Sequence, residues 1–221
     1  MIHTNLIFPT PVWIDDAIGV DKEKILNFVH RVKTEDPDGR KVSNIGGWQS
    51  RDFTDEVMIN NPLSQLRSKI LEMAYYCCDE FGFSEYTLRI TNLWLNINTR
   101  GNSNEIHTHP GSILSGVYYL SVPDCCSGKI QFLKDYNHQM MKESWGMGDN
   151  FSYDSLLNNV ITTFDPFDDS MIMFPSWLLH SVSKSASDGE RISISFNIQA
   201  FSNYYNEVYP GKRSTGRAIS L

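Results

Sequence analysis

The stretch Ile106-His-Thr-His-Pro-Gly-Ser-Ile-Leu-Ser-Gly-Val-Tyr-Tyr-Leu-Ser121 sets two histidines before a strand-like run, and the rest of the chain is read outward from it. His107 and His109 are two residues apart. On an extended backbone both imidazoles then leave one face, as a metal requires of ligands from a single strand. His180, in Phe174-Pro-Ser-Trp-Leu-Leu-His-Ser-Val182, offers a third. A lone histidine on a half-buried strand is more often a packed or surface residue than a ligand. Three of them, each beside an apolar alternating run, make a metal centre the working expectation.

Upstream, Tyr86 to Asn98 alternates, with Leu93, Leu95 and Ile97 on one face and Trp94, Asn96 and Asn98 on the other. A strand with this polar face can line a wet pocket. Ile113 to Val122, Lys129 to Leu133, Ser170 to Pro175, Leu179 to Lys184 and Arg191 to Phe201 read as further strands. Before them the period is helical. Ile25, Phe28, Val29 and Val32 recur after a capping Asp21, and Asp36-Pro37-Asp38-Gly39 stops the run. A second helix is expected from Pro62 to Phe81-Gly82, with a wide apolar stripe from Leu63 to Cys78. Asn5 to Ile14 contains Pro9 and Pro11, which confines it to an edge strand or an extended arm.

Two helices followed by some eight short strands predict a mainly β fold with supporting helices. The architecture expected is a double-stranded β-helix, or jelly roll, with the N-terminal helices packed on one sheet. One oxygenase-sized domain over 1–221 is the expected organisation: helical support 1–85, β-helix core 86–201, tail 202–221. The loop 43–56, with Gly46-Gly47 and Trp48, and the aperiodic stretch 134–168 are the candidate walls of a substrate opening; ordinary surface loop is the alternative for both.

Composition narrows the function. The formal charge of −7 and the lack of a Lys/Arg block argue against a nucleic-acid footprint. The four cysteines form two adjacent pairs, Cys77-Cys78 and Cys125-Cys126, a pattern of neither a disulfide framework nor a Cys-x-x-Cys zinc site. They read as reduced thiols. No charged leader and no long apolar run suggests export or a membrane span, so a cytoplasmic protein is expected.

Taken in order, His107-Thr-His109, Ser115-Gly-Val-Tyr-Tyr-Leu120, Gly128-Lys-Ile-Gln-Phe132, Met173-Phe-Pro-Ser-Trp-Leu-Leu-His180 and Arg191-Ile-Ser193 resemble the 2-oxoglutarate/iron(II)-dependent oxygenases. The resemblance covers about residues 86 to 201. It is greatest to prolyl-hydroxylase-like oxygenases of bacteria and of phages of marine bacteria, so the location expected of a phage-encoded chain is the host cytoplasm. It implies Fe(II) as cofactor and 2-oxoglutarate as co-substrate, with His107 and His180 as ligands. The family usually has Asp or Glu two residues after the first histidine, and here that position is His109. A face of three histidines, like that of cupin-type oxygenases, is the expected ligand set; Glu105 is the alternative donor.

The co-substrate expectation has its own residues. Arg191 opens a strand eleven residues after His180, and Ser193 shares its face. A guanidinium forms two parallel hydrogen bonds to a carboxylate, and a nearby hydroxyl adds a third. Tyr119 matches the second tyrosine of the family's Tyr-Tyr-Leu strand and would donate to the same carboxylate, with Asn96 or Asn98 at the other end. A surface pairing of Arg191 with Asp188 or Glu190 is the plain alternative. Trp94 and Trp177 are read equally as pocket wall and as core. The activity implied is oxidative decarboxylation of 2-oxoglutarate coupled to hydroxylation of a substrate the sequence leaves open among peptide, metabolite and nucleotide. Two other readings stand beside it. One is a metal-binding jelly-roll protein of structural or regulatory use without turnover, and the other a cupin-like dioxygenase without a keto acid. A homo-oligomer is left open.

Overall fold

The alternation along Tyr86–Asn98 (β4) organises the molecule, because its two faces meet different surroundings. The computed structural model describes residues 3, 5–83, 86–123, 125–134 and 159–202. Among them the strands are Trp13–Asp15 (β1), Asn44–Ile45 (β2), Trp48–Gln49 (β3), β4, Ser103–His107 (β5), Leu114–Ser121 (β6), Ile130–Leu133 (β7), Ile161–Phe164 (β8), Ser170–Pro175 (β9), His180–Val182 (β10) and Arg191–Ser202 (β11). They form two sheets, a six-stranded one in the order β1-β9-β6-β11-β4-β3 and a five-stranded one in the order β2-β5-β10-β7-β8. Every strand pair is antiparallel. This is the double-stranded β-helix expected, and the two sheets face each other across the candidate site.

The helices cover one face of the larger sheet. Lys22–Glu35 (α1) and Ser64–Glu80 (α3) bury Ile25, Phe28, Val29, Leu66, Ile70 and Ala74 in one cluster with Leu93, Leu95, Ile97, Ile194 and Phe196. Each Val, Leu, Ile or Phe side chain among them, removed from water, contributes about 1.5–3 kcal/mol. A smaller cluster of Val117, Tyr119, Ile130, Phe132, Ile172, Phe174 and Leu178 fills part of the space between the sheets. Asp21 caps α1 as its position predicts, its carboxylate accepting from the Lys24 N–H at 3.1 Å, worth about 1 kcal/mol. The chain leaves α1 at Asp36, where Pro37 disfavours a further helical residue.

The elements depart from the sequence reading in several places. A one-turn helix, Asp55–Met58 (α2), precedes α3, and α3 begins at Ser64 rather than Pro62. Strands β5 and β8 were not separable from their loops by pattern, since neither alternates: β5 is half-buried or exposed throughout. Loop 43–56 is built from two short strands and a crossover, with Ser43, Gln49 and Asp52 lining a groove. Gly46 and Gly47, at φ 67° and 63°, turn the chain from β2 in the smaller sheet to β3 in the larger. A Cβ on Gly46 would stand 2.3 Å from the Asn102 amide nitrogen, and one on Gly47 would stand 2.6 Å from that of Asn98. Trp48 is buried, with its indole N–H donating to the Asp36 carbonyl at 2.8 Å.

The N-terminal segment behaves as the prolines require, with β1 at a sheet edge and Leu6, Ile7 and Phe8 exposed before it. None of the four cysteines is in a disulfide. Cys77 and Cys78 are buried on α3, where burial pushes both thiols up to about 12, while Cys125 and Cys126 are exposed. Among the described residues no helix is long and apolar enough to cross a membrane. Most of the 134–168 stretch, from 135 to 158, and the tail from 203 lie outside the described residues.

Candidate active site

Strands β5 and β10 lie side by side with His107 directly opposite His180. Strand β5 ends at His107, so His109 is not on it; the following turn brings it back, fixed by its N–H donating to the Ser176 carbonyl at 2.9 Å. The expected same-face strand geometry is therefore replaced by a strand-plus-turn geometry, and the rings still converge. The ring centroids of His107 and His180 are 4.3 Å apart, those of His107 and His109 4.9 Å, and those of His109 and His180 5.0 Å. One ligand nitrogen from each lies within 4.8 Å of the others.

Two of the rings have their tautomer set by a carbonyl. His107 Nδ1–H donates to Glu105 O at 2.7 Å, and His180 Nδ1–H donates to Leu178 O at 2.8 Å. A carbonyl can only accept, so each Nδ1 carries the proton and each Nε2 presents a lone pair, the usual support for a metal-binding histidine. The Nε2 atoms of His109 and His180 are 3.2 Å apart. That is the separation of two imidazoles sharing one ion at about 2.1 Å. Burial and the neighbouring His107 pull His109 down to about 4 and His180 down to about 3, so both are neutral donors at physiological pH. Glu105 is exposed and does not join the cluster; only its carbonyl takes part, which removes it as the alternative ligand.

Arg191 faces the same cavity from the larger sheet. The register Asn98↔Arg191, Asn96↔Ser193 and Ser193↔Tyr119 puts all the predicted co-substrate residues on its inner face, and all of them line the cavity with the three histidines. Arg191 is only 4% exposed. Its Nη1 donates to the carbonyls of Ser127 and Gly128 at 3.0 and 2.8 Å, and its Nη2 to Asn98 Oδ1 at 3.3 Å. Its Nε is buried with no partner among the described residues. No carboxylate among the described residues pairs with it, and the expected surface alternative fails, because Asp188 is held by Arg100 at 2.5 and 2.8 Å.

A guanidinium stays charged even where burial lowers its pKa, as here, so a buried one without a counter-charge is costly. The hydroxyls of Tyr119 and Ser193 make no hydrogen bond among the described residues, and burial pushes the Tyr119 phenol up to about 12, with Arg191 opposing. The chain thus aims one unmatched cation and two unmatched donors at one spot, which is what a carboxylate needs. Asn98 supports Arg191 itself, whereas Asn96, opposite Ser193, donates to Ser195 at 3.1 Å, farther along β11 from the guanidinium. Trp94 is pocket wall, 5.9 Å from the His109 ring, whereas Trp177 is 62% exposed and is neither wall nor core. The supporting carbonyls of Ser127 and Gly128 were missed by sequence reasoning, since backbone acceptors leave no side-chain signal.

The fold and this constellation define a jelly-roll protein with a convergent imidazole centre and a buried cation across one cavity. Residues 92–197 match the family model described as "Putative 2OG-Fe(II) oxygenase". Over those residues, just under half of the chain, it carries the sequence pattern of the 2-oxoglutarate/iron(II)-dependent oxygenases, a family of dioxygenases that use Fe(II) and 2-oxoglutarate.

Solved structures share the fold. A prolyl-4-hydroxylase of Pseudomonas putida aligns at TM-score 0.58 and 12% identity over 86% of this chain and 92% of that one. A prolyl hydroxylase of Trichoplax adhaerens, solved with a hypoxia-inducible-factor peptide, aligns at 0.59 and 14% over 91% and 87%. The epimerase SnoN of nogalamycin biosynthesis, non-haem and α-ketoglutarate dependent, aligns at 0.61 and 13% over 95% and 88%. At such identities the likeness carries the fold alone. No curated protein sequence matches the chain.

Proposed function

We propose that the protein couples oxidative decarboxylation of 2-oxoglutarate to hydroxylation of a primary substrate, with His107, His109 and His180 holding Fe(II). Arg191, Tyr119 and Ser193 take the distal carboxylate of the co-substrate, and Asn96 lines its channel. The reading rests on one observation above the others. A buried arginine with an unmatched Nε and no carboxylate partner among the described residues faces converged imidazoles across a single cavity.

When bound, the iron and its keto acid supply the oxidant: dioxygen, 2-oxoglutarate and a substrate C–H give succinate, carbon dioxide and C–OH. The chain's own work is to bind, orient and shield. Carbonyls of Glu105 and Leu178 orient two rings and keep their Nε2 lone pairs available. The three imidazoles are neutral ligands, so the site carries one positive charge more than a 2-His-1-carboxylate face would. That favours an anionic co-ligand and raises the reduction potential of the ion. Arg191 neutralises the far carboxylate in a part of the cavity walled by Tyr119, Phe174 and Ile130. The function is proposed for one domain over 1–221 acting in the cytoplasm.

Anaerobic titration of Fe(II)-loaded protein with 2-oxoglutarate tests this, because keto-acid chelation gives a weak visible charge-transfer band. The band, with succinate formed on admitting air, is the expected result. Neither band nor succinate would leave a metal-binding jelly roll without turnover, and oxygen consumption without a keto acid would leave the cupin-like chemistry. Arg191→Ala should weaken 2-oxoglutarate binding with metal content unchanged; loss of metal would give the arginine a structural task instead.

A further inference from the structure

The imidazoles stand where two cavities meet. One leads to Arg191. The other is a groove of about 350 Å³ that shares Trp94, His107 and His109 with the first and leads the opposite way along the larger sheet. The register makes the direction explicit, since Asn98↔Arg191 lies at one end and Asn92↔Asn197 at the other, with Trp94↔Ser195 between them. From the observations in this groove we infer that the primary substrate presents a neutral amide to the side chains of Gln49 and Asn92. The inference rests on the oxygenase reading and adds to it the chemistry of what is oxidised.

Gln49 carries most of the argument. It is 4% exposed, lines the groove, and its carboxamide makes no hydrogen bond among the described residues. Its backbone is pinned on both sides, by pairing opposite Asn96 and by its carbonyl accepting from Arg40 N–H at 2.7 Å. Its carboxamide atoms are not sealed off from the groove, so a bound group of matching polarity takes the place of water on them.

Asn92 supplies the second part. Its Oδ1 already accepts from Asn197 Nδ2 at 3.0 Å and from Thr91 Oγ1 at 3.2 Å, which leaves its Nδ2 hydrogens for the groove. Asn197 is fixed in turn by Ser115 Oγ–H at 2.7 Å, so the donor is held by a chain of bonds rather than free to turn away.

Charge decides the class. Arg40 and Asp52, the ionic groups beside Gln49, neutralise each other at 2.6 Å. At the two carboxamides the free groups are one acceptor, Gln49 Oε1, and donors on Gln49 Nε2 and Asn92 Nδ2, while the exposed Glu105 adds a negative charge to the groove that further disfavours an anion. A carboxylate or phosphate would bring its oxygens against Oε1 with nothing to offer it, and an ammonium would leave the donors unmatched. An amide satisfies both, its carbonyl accepting and its N–H donating. A peptide backbone and a small primary carboxamide share that chemistry.

The test uses the Fe(II)-loaded, 2-oxoglutarate-bound protein and reads succinate formation above the level without a second substrate. Four probe pools are compared: N-acetylated, C-amidated tripeptides; small primary carboxamides; the same compounds as free carboxylic acids; and neutral polyols. One amide pool should stimulate at least about tenfold over its acid counterpart, the size of one lost hydrogen bond in a buried site. Which of the two does so distinguishes peptide from small amide. Gln49→Leu and, separately, Asn92→Ala should then raise the KM for the active amide about tenfold or more, while the charge-transfer band still titrates at the wild-type 2-oxoglutarate concentration. That band also shows that each variant is folded. Stimulation by acids or polyols alone, by no pool, or KM values within twofold of wild type for both variants would overturn the amide assignment with the oxygenase intact. Absence of the band in the wild-type protein would instead overturn the oxygenase reading itself and the substrate with it.

Discussion

His109 Nε2 and His180 Nε2 approach to 3.2 Å across 71 residues of sequence. Neither strand alone makes this contact: β10 brings His180 alongside β5, and the turn after β5 swings His109 back over the pair. The centre is therefore a product of the closed jelly roll, and metal binding and closure of the smaller sheet should support one another.

Removing His180, the most enclosed of the three donors, leaves His107 and His109 joined only by a short turn. His180→Ala should lower affinity for a divalent ion by about a hundredfold or more, the upper end of losses from disturbing such sites. Metal content after gel filtration, measured by elemental analysis, checks this. His109→Asp is the informative opposite case, since it restores the carboxylate usual in the family. It should keep Fe(II) and move the charge-transfer band, because the ligand charge changes while the ligand number does not.

Arg191→Lys separates charge from geometry. The lysine keeps a cation in the cavity but cannot reach the carbonyls of Ser127 and Gly128 and also present a forked pair of donors to a carboxylate. The Kd for 2-oxoglutarate should rise about tenfold to a hundredfold with bound metal at the wild-type level. An unchanged Kd would mean that the co-substrate does not meet the guanidinium.

Much of this was legible in the sequence because two periods coincide with two environments. The residues of β4 alternate between a helix-covered core and a wet cavity, and the alternation names Leu93, Leu95 and Ile97 for one and Trp94, Asn96 and Asn98 for the other. Asp21 and the Asp36-Pro37 stop delimit α1 for equally local reasons. What stayed hidden is set by distant partners. Strand β5 has no apolar face, so nothing marks it until β10 pairs with it. Gln49 sits in an aperiodic loop, and its place in the groove follows from the Gly46-Gly47 crossover between sheets, not from any pattern of its own. Trp177 shows the converse, a large aromatic inside a recognisable motif that the structure leaves in solvent.

The buried imidazoles predict how the metal-free protein responds to acid. In the unfolded chain His109 and His180 titrate near their ordinary value of 6.5, whereas in the fold burial and mutual repulsion with His107 hold them at about 4 and about 3. Above 6.5 both states carry neutral rings and no difference arises. Between 6.5 and about 3 the unfolded state takes up protons that the folded state refuses, so stability falls as pH falls through that window and levels off below it. Thermal melts of the chelator-treated protein at pH 7.5 and pH 5 should show the lower Tm at pH 5, and His180→Gln should flatten the difference.

Gly116 gives the last prediction, since it lies on β6 opposite Phe196 and Met173 at the centre of the larger sheet. A Cβ there would stand 2.5 Å and 2.6 Å from atoms of the Phe196 ring and 2.7 Å from the Ile172 carbonyl oxygen. The ring fills the space a side chain would take, as an aromatic neighbour does for a strand glycine. The Ile172 oxygen belongs to β9, paired on the other side, so the backbone cannot yield without parting two strands. Phe196 is fully buried in the core cluster that includes the helices. Gly116→Ala should therefore cost about 1–3 kcal/mol by overpacking, more than the backbone freedom it removes from the unfolded chain returns. In a domain of this size that corresponds to a Tm lower by roughly 2–12 °C. Pairing it with Phe196→Leu, which clears part of the ring, should recover some of the loss; if the double variant is worse than the sum of the two, the ring is not what the new methyl meets.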